Sequence, residues 1–131
     1  TRLFLIGTSR GTVSAAYAGA ALSSRLAGVV LTSSVFAATK GGPGLAGFDF
    51  ASIKVPLLLV HYASDSCIAT PYGQALNLAV KYPLITVHSG KTPQSDPCEP
   101  FAPHGYFGKE EPTVDAIVNW MLGRPYPSQI D

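Results

Sequence analysis

Leu3-Phe4-Leu5-Ile6-Gly7-Thr8-Ser9-Arg10-Gly11-Thr12-Val13-Ser14-Ala15-Ala16 joins an apolar run of strand length to a stretch of small helical residues through a Gly-x-Ser-x-Gly turn. A serine on a sharp strand-to-helix turn is expected to adopt a strained backbone, and small residues two places before and after it avoid collision; Gly7 and Gly11 supply both. The turn lifts the Ser9 hydroxyl to the start of the helix, where free N–H groups and the helix dipole favour negative charge. The backbone N–H of Arg10 is then one candidate oxyanion donor. A glycine-containing turn with Ser9 as a plain helix N-cap is the alternative reading of the same residues.

Outward from this turn, three further runs have strand length and β-branched or aromatic content: Gly28 to Thr32, Leu57 to Tyr62 and Leu84 to His88, after a first strand over Leu3 to Ile6. They are continuously apolar rather than alternating, the pattern of strands covered on both faces. Helical stretches lie between and after them, over Gly11 to Leu26, Tyr72 to Lys81 and Thr113 to Leu122, the last with Val114, Ile117, Val118 and Met121 on one face. The first is apolar on nearly every side and is expected to be buried. Alternating strands and helices predict a single α/β domain over residues 1–131, a mostly parallel sheet of about four strands flanked by helices.

The 131 residues are 47% hydrophobic and 13% charged, which places the chain among globular domains and outside the disordered class. Nine basic residues against eight acidic ones, with no basic cluster, leave nothing to neutralise a phosphate backbone, so no nucleic-acid partner is expected. No apolar stretch approaches the roughly 20 residues of a membrane span. The chain opens at Thr1 directly on a core strand, which reads as a piece of a longer precursor, so the lack of a leader carries no information on compartment.

A serine hydroxyl needs a base to take its proton, and the base needs an acid to fix its tautomer. In parallel sheets such groups project from the carboxyl ends of strands. Asp65, just past the Leu57 to Tyr62 run, is the one carboxylate in such a place, although aspartate is also a common turn residue. Three histidines compete for the base. His61 lies within a strand and reads as a core residue, His88 sits at a strand end, and His104 lies in the loop Pro103-His104-Gly105-Tyr106; the loop gives His104 the longer reach and makes it the favoured choice.

The order of a serine in a Gly-x-Ser-x-Gly elbow, an acid after a later strand and a histidine in a loop before a final helix resembles the C-terminal half of a serine α/β-hydrolase, across essentially the whole chain. The resemblance implies Ser9 as nucleophile, His104 as base, Asp65 as acid and Arg10 N–H as an oxyanion donor. It implies no cofactor. It also implies several strands before the first one here, with a second oxyanion donor, and nothing in the sequence corresponds to them. The first strand is therefore expected to be an apolar edge covered by an N-terminal half or by a symmetric partner.

Cys67 follows Asp65 by two residues and Cys98 precedes His104 by six, so both lie in the loops that would present the acid and the base. If the loops meet, the sulfurs fall within bridging range; two unrelated buried thiols are the other reading. A disulfide would tie the loops together and point to a secreted or periplasmic protein. No cysteine or histidine spacing suggests a metal. The function expected is hydrolysis of a carboxylic ester or related small acyl substrate by an acyl-enzyme route. A non-catalytic fragment acting as a binding or assembly module is the alternative.

Overall fold

The computed structural model describes residues 1–131. Five strands form one sheet in the order β1 (Phe4–Thr8), β2 (Gly28–Thr32), β3 (Leu57–Tyr62), β4 (Leu84–Val87) and β5 (Gln129–Ile130). Every neighbouring pair is parallel. The α/β architecture expected from the alternating runs is therefore present, with one strand more than the sequence suggests. β5 is two residues long, follows two prolines and carries no apolar run; it exists because Thr86 N–H and His88 N–H donate to the carbonyls of Ser128 and Ile130 at the free side of β4.

Alternate strand residues feed two apolar layers, as the pleat requires. Val29, Leu31, Leu57 and Leu59 face one side, where Ala15 and Ala16 of α1 (Gly11–Ala21) pack. Val30, Leu58, Val60, Ile85 and Val87 face the other, against Ala116 and Ile117 of α3 (Glu110–Met121). Burial on both faces is the physical cause of the unbroken apolar runs. The short helix α2 (Tyr72–Leu78) sets Ala75 into the core and packs on β3.

Several boundaries move from their expected places. β1 starts one residue later than expected and runs on to Thr8, because Gly7 and Thr8 pair with Leu31 and Thr32. α1 ends at Ala21 rather than Leu26, and a 3-10 turn over Ser23–Arg25 follows, with the Ser23 hydroxyl donating to the Gly19 carbonyl. α2 stops at Leu78 rather than Lys81. α3 begins three residues early, since Glu110, Glu111 and Pro112 suit a first helical turn, where acidic side chains meet free N–H groups and proline loses no bond.

The expectation that α1 is buried all round is corrected. Only Thr12, Ala15, Ala16 and Gly19 are buried, and Tyr17 is 55% exposed. The small residues let one face approach the sheet closely, with a Cβ on Gly19 meeting Val29 at 2.9 Å, while the opposite face looks outward. The apolar stripe of α3 is likewise only partly covered: Ile117 is buried, yet Val114 and Val118 line an open groove beside Ile6. β1 has β2 as its one neighbour, so its outer edge is unpaired, and Leu3 and Ile6 are exposed.

Candidate active site

The carboxyl ends of β1, β2 and β3 bring the chemistry-bearing residues together. Ser9 sits in the left-handed region at φ 53°, a conformation that non-glycine residues rarely adopt and that is held here from several sides. Its N–H donates to the Thr32 carbonyl at 3.0 Å, and its own carbonyl accepts from the Thr12 hydroxyl at 2.6 Å. That hydroxyl in turn accepts from Val35 N–H at 3.1 Å. The strained turn is thus pinned to the end of β2.

The two glycines of the turn are not equivalent. A Cβ on Gly7 would strike the Gly11 carbonyl oxygen and lie 2.6 Å from Ala15 Cβ. Gly11 itself has nothing within 4 Å of such an atom, so the expected steric need for glycine at this second position is corrected: its backbone faces open space at the start of α1. Gly7→Ala is expected to destabilise the fold by about 2–3 kcal/mol through overpacking against backbone. Gly11→Ala should be neutral or stabilising by up to about 1 kcal/mol, because alanine restricts the unfolded chain. Equal melting temperatures for the two variants would contradict this asymmetry.

His104 reaches Ser9 from a 3-10 turn, Pro103–Gly105, at the end of a long loop. Its Nε2 is 2.9 Å from Ser9 Oγ and its Nδ1 is 3.1 Å from Asp65 Oδ2. An ionised carboxylate only accepts, so Nδ1 carries the proton and Nε2 is left bare to accept from the serine hydroxyl. The base loop is fixed from below: Ser33 Oγ donates to the His104 carbonyl at 2.7 Å, and the buried Tyr106 hydroxyl donates to the Val60 carbonyl at 2.8 Å. Burial, only partly offset by its hydrogen bonds to Ser33, pushes the Tyr106 phenol well above its ordinary value, so it remains a neutral structural donor.

Asp65 follows β3 on a turn closed by its own N–H to the Tyr62 carbonyl at 3.1 Å. Its side chain is fully buried. Burial alone would raise its pKa, but hydrogen bonds from His104, His61, the Cys67 N–H and the Thr70 hydroxyl outweigh it and hold the carboxyl well below the usual carboxylate range. Cys67 N–H takes Oδ1 at 3.0 Å, and Thr70 Oγ1 lies 2.8 Å from Oδ2 and 3.2 Å from His104 Nδ1.

All three expected residues therefore meet, and the rival histidine does not. His88 lies on the far side of the sheet, its Nε2 2.7 Å from Gln129 Oε1 beside β5. His61 is buried as expected of a core residue, but it also stands at the site, with Nε2 3.5 Å from Asp65 Oδ2. Thr70, Ser33 and Tyr106 were not legible as site residues. Thr70 is a single hydroxyl before a proline, and only the folded loop places it between the acid and the base. Asp49 caps a short turn through Ala51 N–H, away from this cluster.

No family model, curated protein or solved structure matches the chain. What the site can do follows from its own geometry. Beside Ser9 opens a cleft of about 660 Å³, bordered by Arg10, Tyr17, Thr39, the glycine-rich turn at Gly41 to Gly44, Ile68, Cys67 and Cys98. Arg10 is the one charged residue along it, and its backbone N–H donates to no backbone carbonyl, leaving it free for a ligand. Of the aromatic residues near these loops in sequence, Phe36, Tyr62 and Tyr106 are buried in the core rather than along this cleft; Tyr17 is the aromatic residue there.

Cys67 and Cys98 form a disulfide across a sequence separation of 31, with Cα atoms 4.7 Å apart. It anchors the acid loop to the segment that leads into His104. No group of three or more histidine, cysteine or acidic side chains is arranged to hold a metal ion, and no helix is long and apolar enough to cross a membrane.

Proposed function

We propose that the protein is a serine hydrolase of the α/β-hydrolase kind, acting on a carboxylic ester or related small acyl substrate. One observation carries the reading: Ser9 Oγ, His104 and Asp65, distant in sequence, lie in an unbroken hydrogen-bonded line with links of 2.9 and 3.1 Å. A structural serine cap would need no buried histidine behind it, and a buried aspartate in a turn would need none beside it.

In this reading Ser9 Oγ attacks the carbonyl carbon while its proton passes to His104 Nε2. The imidazolium is stabilised by Asp65, which stays ionised. Negative charge on the former carbonyl oxygen is met by Arg10 N–H and by the field at the start of α1. His104 then protonates the leaving alcohol as the bond to it breaks, giving the acyl-enzyme. Water, deprotonated by His104, attacks the acyl carbon; the bond to Ser9 Oγ then breaks, His104 returns the proton to that oxygen, and the carboxylic acid leaves. The cleft volume lies within the range of small-molecule sites, which favours a compact substrate. The disulfide favours work in an oxidising compartment, outside the cell or in a periplasm.

The test is a fluorophosphonate probe, which phosphonylates an activated serine with loss of fluoride. Wild-type protein is expected to take one label, mapped by peptide mass spectrometry to Ser9. A folded sample that takes no label, or takes it elsewhere, sinks the enzyme reading and leaves a binding or assembly module.

A further inference from the structure

The carboxylate of Asp65 is approached by more than the one partner, His104, that the proposed proton shuttling needs. Thr70 is fully buried, and its hydroxyl touches both members of the acid–base pair, 2.8 Å from Asp65 Oδ2 and 3.2 Å from His104 Nδ1. Only one assignment of protons satisfies both contacts. Nδ1 carries its proton towards Asp65 and Thr70, so the Thr70 hydroxyl donates to Oδ2 and its oxygen shares the Nδ1 proton.

Thr70 is itself held. His61 Nε2 lies 2.8 Å from the Thr70 carbonyl, which can only accept, so this nitrogen carries a proton and donates it. The same N–H lies 3.5 Å from Asp65 Oδ2, as a long second contact. His61 belongs to β3, is 1% exposed, and stacks on Phe36 at 5.8 Å and 22°. A rigid strand residue therefore clamps the far end of the acid loop, and the loop returns a hydroxyl onto the hydrogen bond between acid and base.

We propose that Thr70, locked by His61, is a positioning residue for the reaction: it fixes the Asp65 carboxylate and the His104 ring in one geometry and one tautomer. This rests on the hydrolase reading above. Neither residue touches substrate in it. The bland alternative is that Thr70 and His61 merely close a buried loop, in which case they matter for stability and not for the rate at Ser9.

The two are separated by Thr70→Val and Thr70→Ser in the full chain, reacted with a fluorophosphonate probe. Thr70→Val is nearly isosteric and replaces the hydroxyl with a methyl group. It is expected to lower the maximal labelling rate about tenfold, the scale of one hydrogen bond to a charged group, with the half-saturating probe concentration unchanged. Thr70→Ser keeps the hydroxyl and should label within about twofold of wild type. The proton spectrum gives a readout that does not depend on turnover: the most downfield resonance, from His104 Nδ1–H, should shift or broaden in Thr70→Val and persist in Thr70→Ser.

If Thr70→Val does not fold, His61→Leu and His61→Gln make the same comparison, since leucine suits a buried strand and glutamine returns an N–H near the Nε2 position; the leucine variant should be slow and the glutamine variant close to wild type. Labelling of Thr70→Val at the wild-type rate, or of Thr70→Ser as slowly as Thr70→Val, overturns the proposal alone. Absence of label on the wild-type protein overturns the hydrolase reading with it.

Discussion

Asp65→Asn should slow acylation of Ser9 roughly ten-thousandfold while leaving the fold intact, on the scale that follows when a catalytic histidine is forced into the wrong tautomer. The reason lies in the proton inventory around the carboxylate. Oδ1 accepts from Cys67 N–H, so an asparagine keeps its carbonyl oxygen there and turns its amide NH2 towards His104. Nδ1, now facing a donor, must accept, and the ring proton moves to Nε2. That nitrogen is the one 2.9 Å from Ser9 Oγ, and once protonated it cannot take the serine proton. The measurement is the fluorophosphonate labelling rate at neutral pH, with circular dichroism as the check on folding. A folded variant within tenfold of wild type would show that Asp65 is a loop residue and that the line through His104 is incidental.

Opening the disulfide, by reductant or by Cys67→Ala with Cys98→Ala, is expected to cost about 3–4 kcal/mol for the loop it closes. For a chain of 131 residues this corresponds to a fall of about 10–15 °C in melting temperature. Reactivity at Ser9 should fall too, even below the melting range, because Cys67 lends its N–H to Asp65 and Cys98 lies on the approach to His104. The exposure of Cys98 gives a reductant access. Unchanged melting and labelling after verified reduction would mean that the acid and base loops hold their places without the bridge.

The parts of the molecule that could be read in advance are those where local chemistry and tertiary role coincide. A strand buried on both faces must be apolar throughout, so β2 and β3 were readable to the residue. Ser9 was readable because a strained turn between a strand and a helix constrains its neighbours, and Asp65 and His104 because strand ends and loops limit which polar groups can converge. Where a residue owes its place to a distant partner, the signal vanishes. β5 is made by the free side of β4, the outward face of α1 by a covering no fuller than the edge of Phe48 against Tyr17, and the role of Thr70 by His61 and His104, which lie on other segments. Gly11 shows the converse, a residue that fits the motif while its surroundings impose no steric demand.

The strand that leads into Ser9 is bonded along one side only, to β2. Outermost strands fray more readily than inner ones, and here any such excursion would be transmitted to the hydroxyl itself, since the Ser9 N–H bond to Thr32 is the last rung of that single ladder. If Ser9 is the nucleophile proposed above, its reactivity and the mechanical stiffness of the sheet's margin are coupled. In the proposed hydrolase, whatever stiffens that margin would sharpen the aim of the serine, and whatever loosens it would blunt the reaction at a distance from the hydroxyl itself.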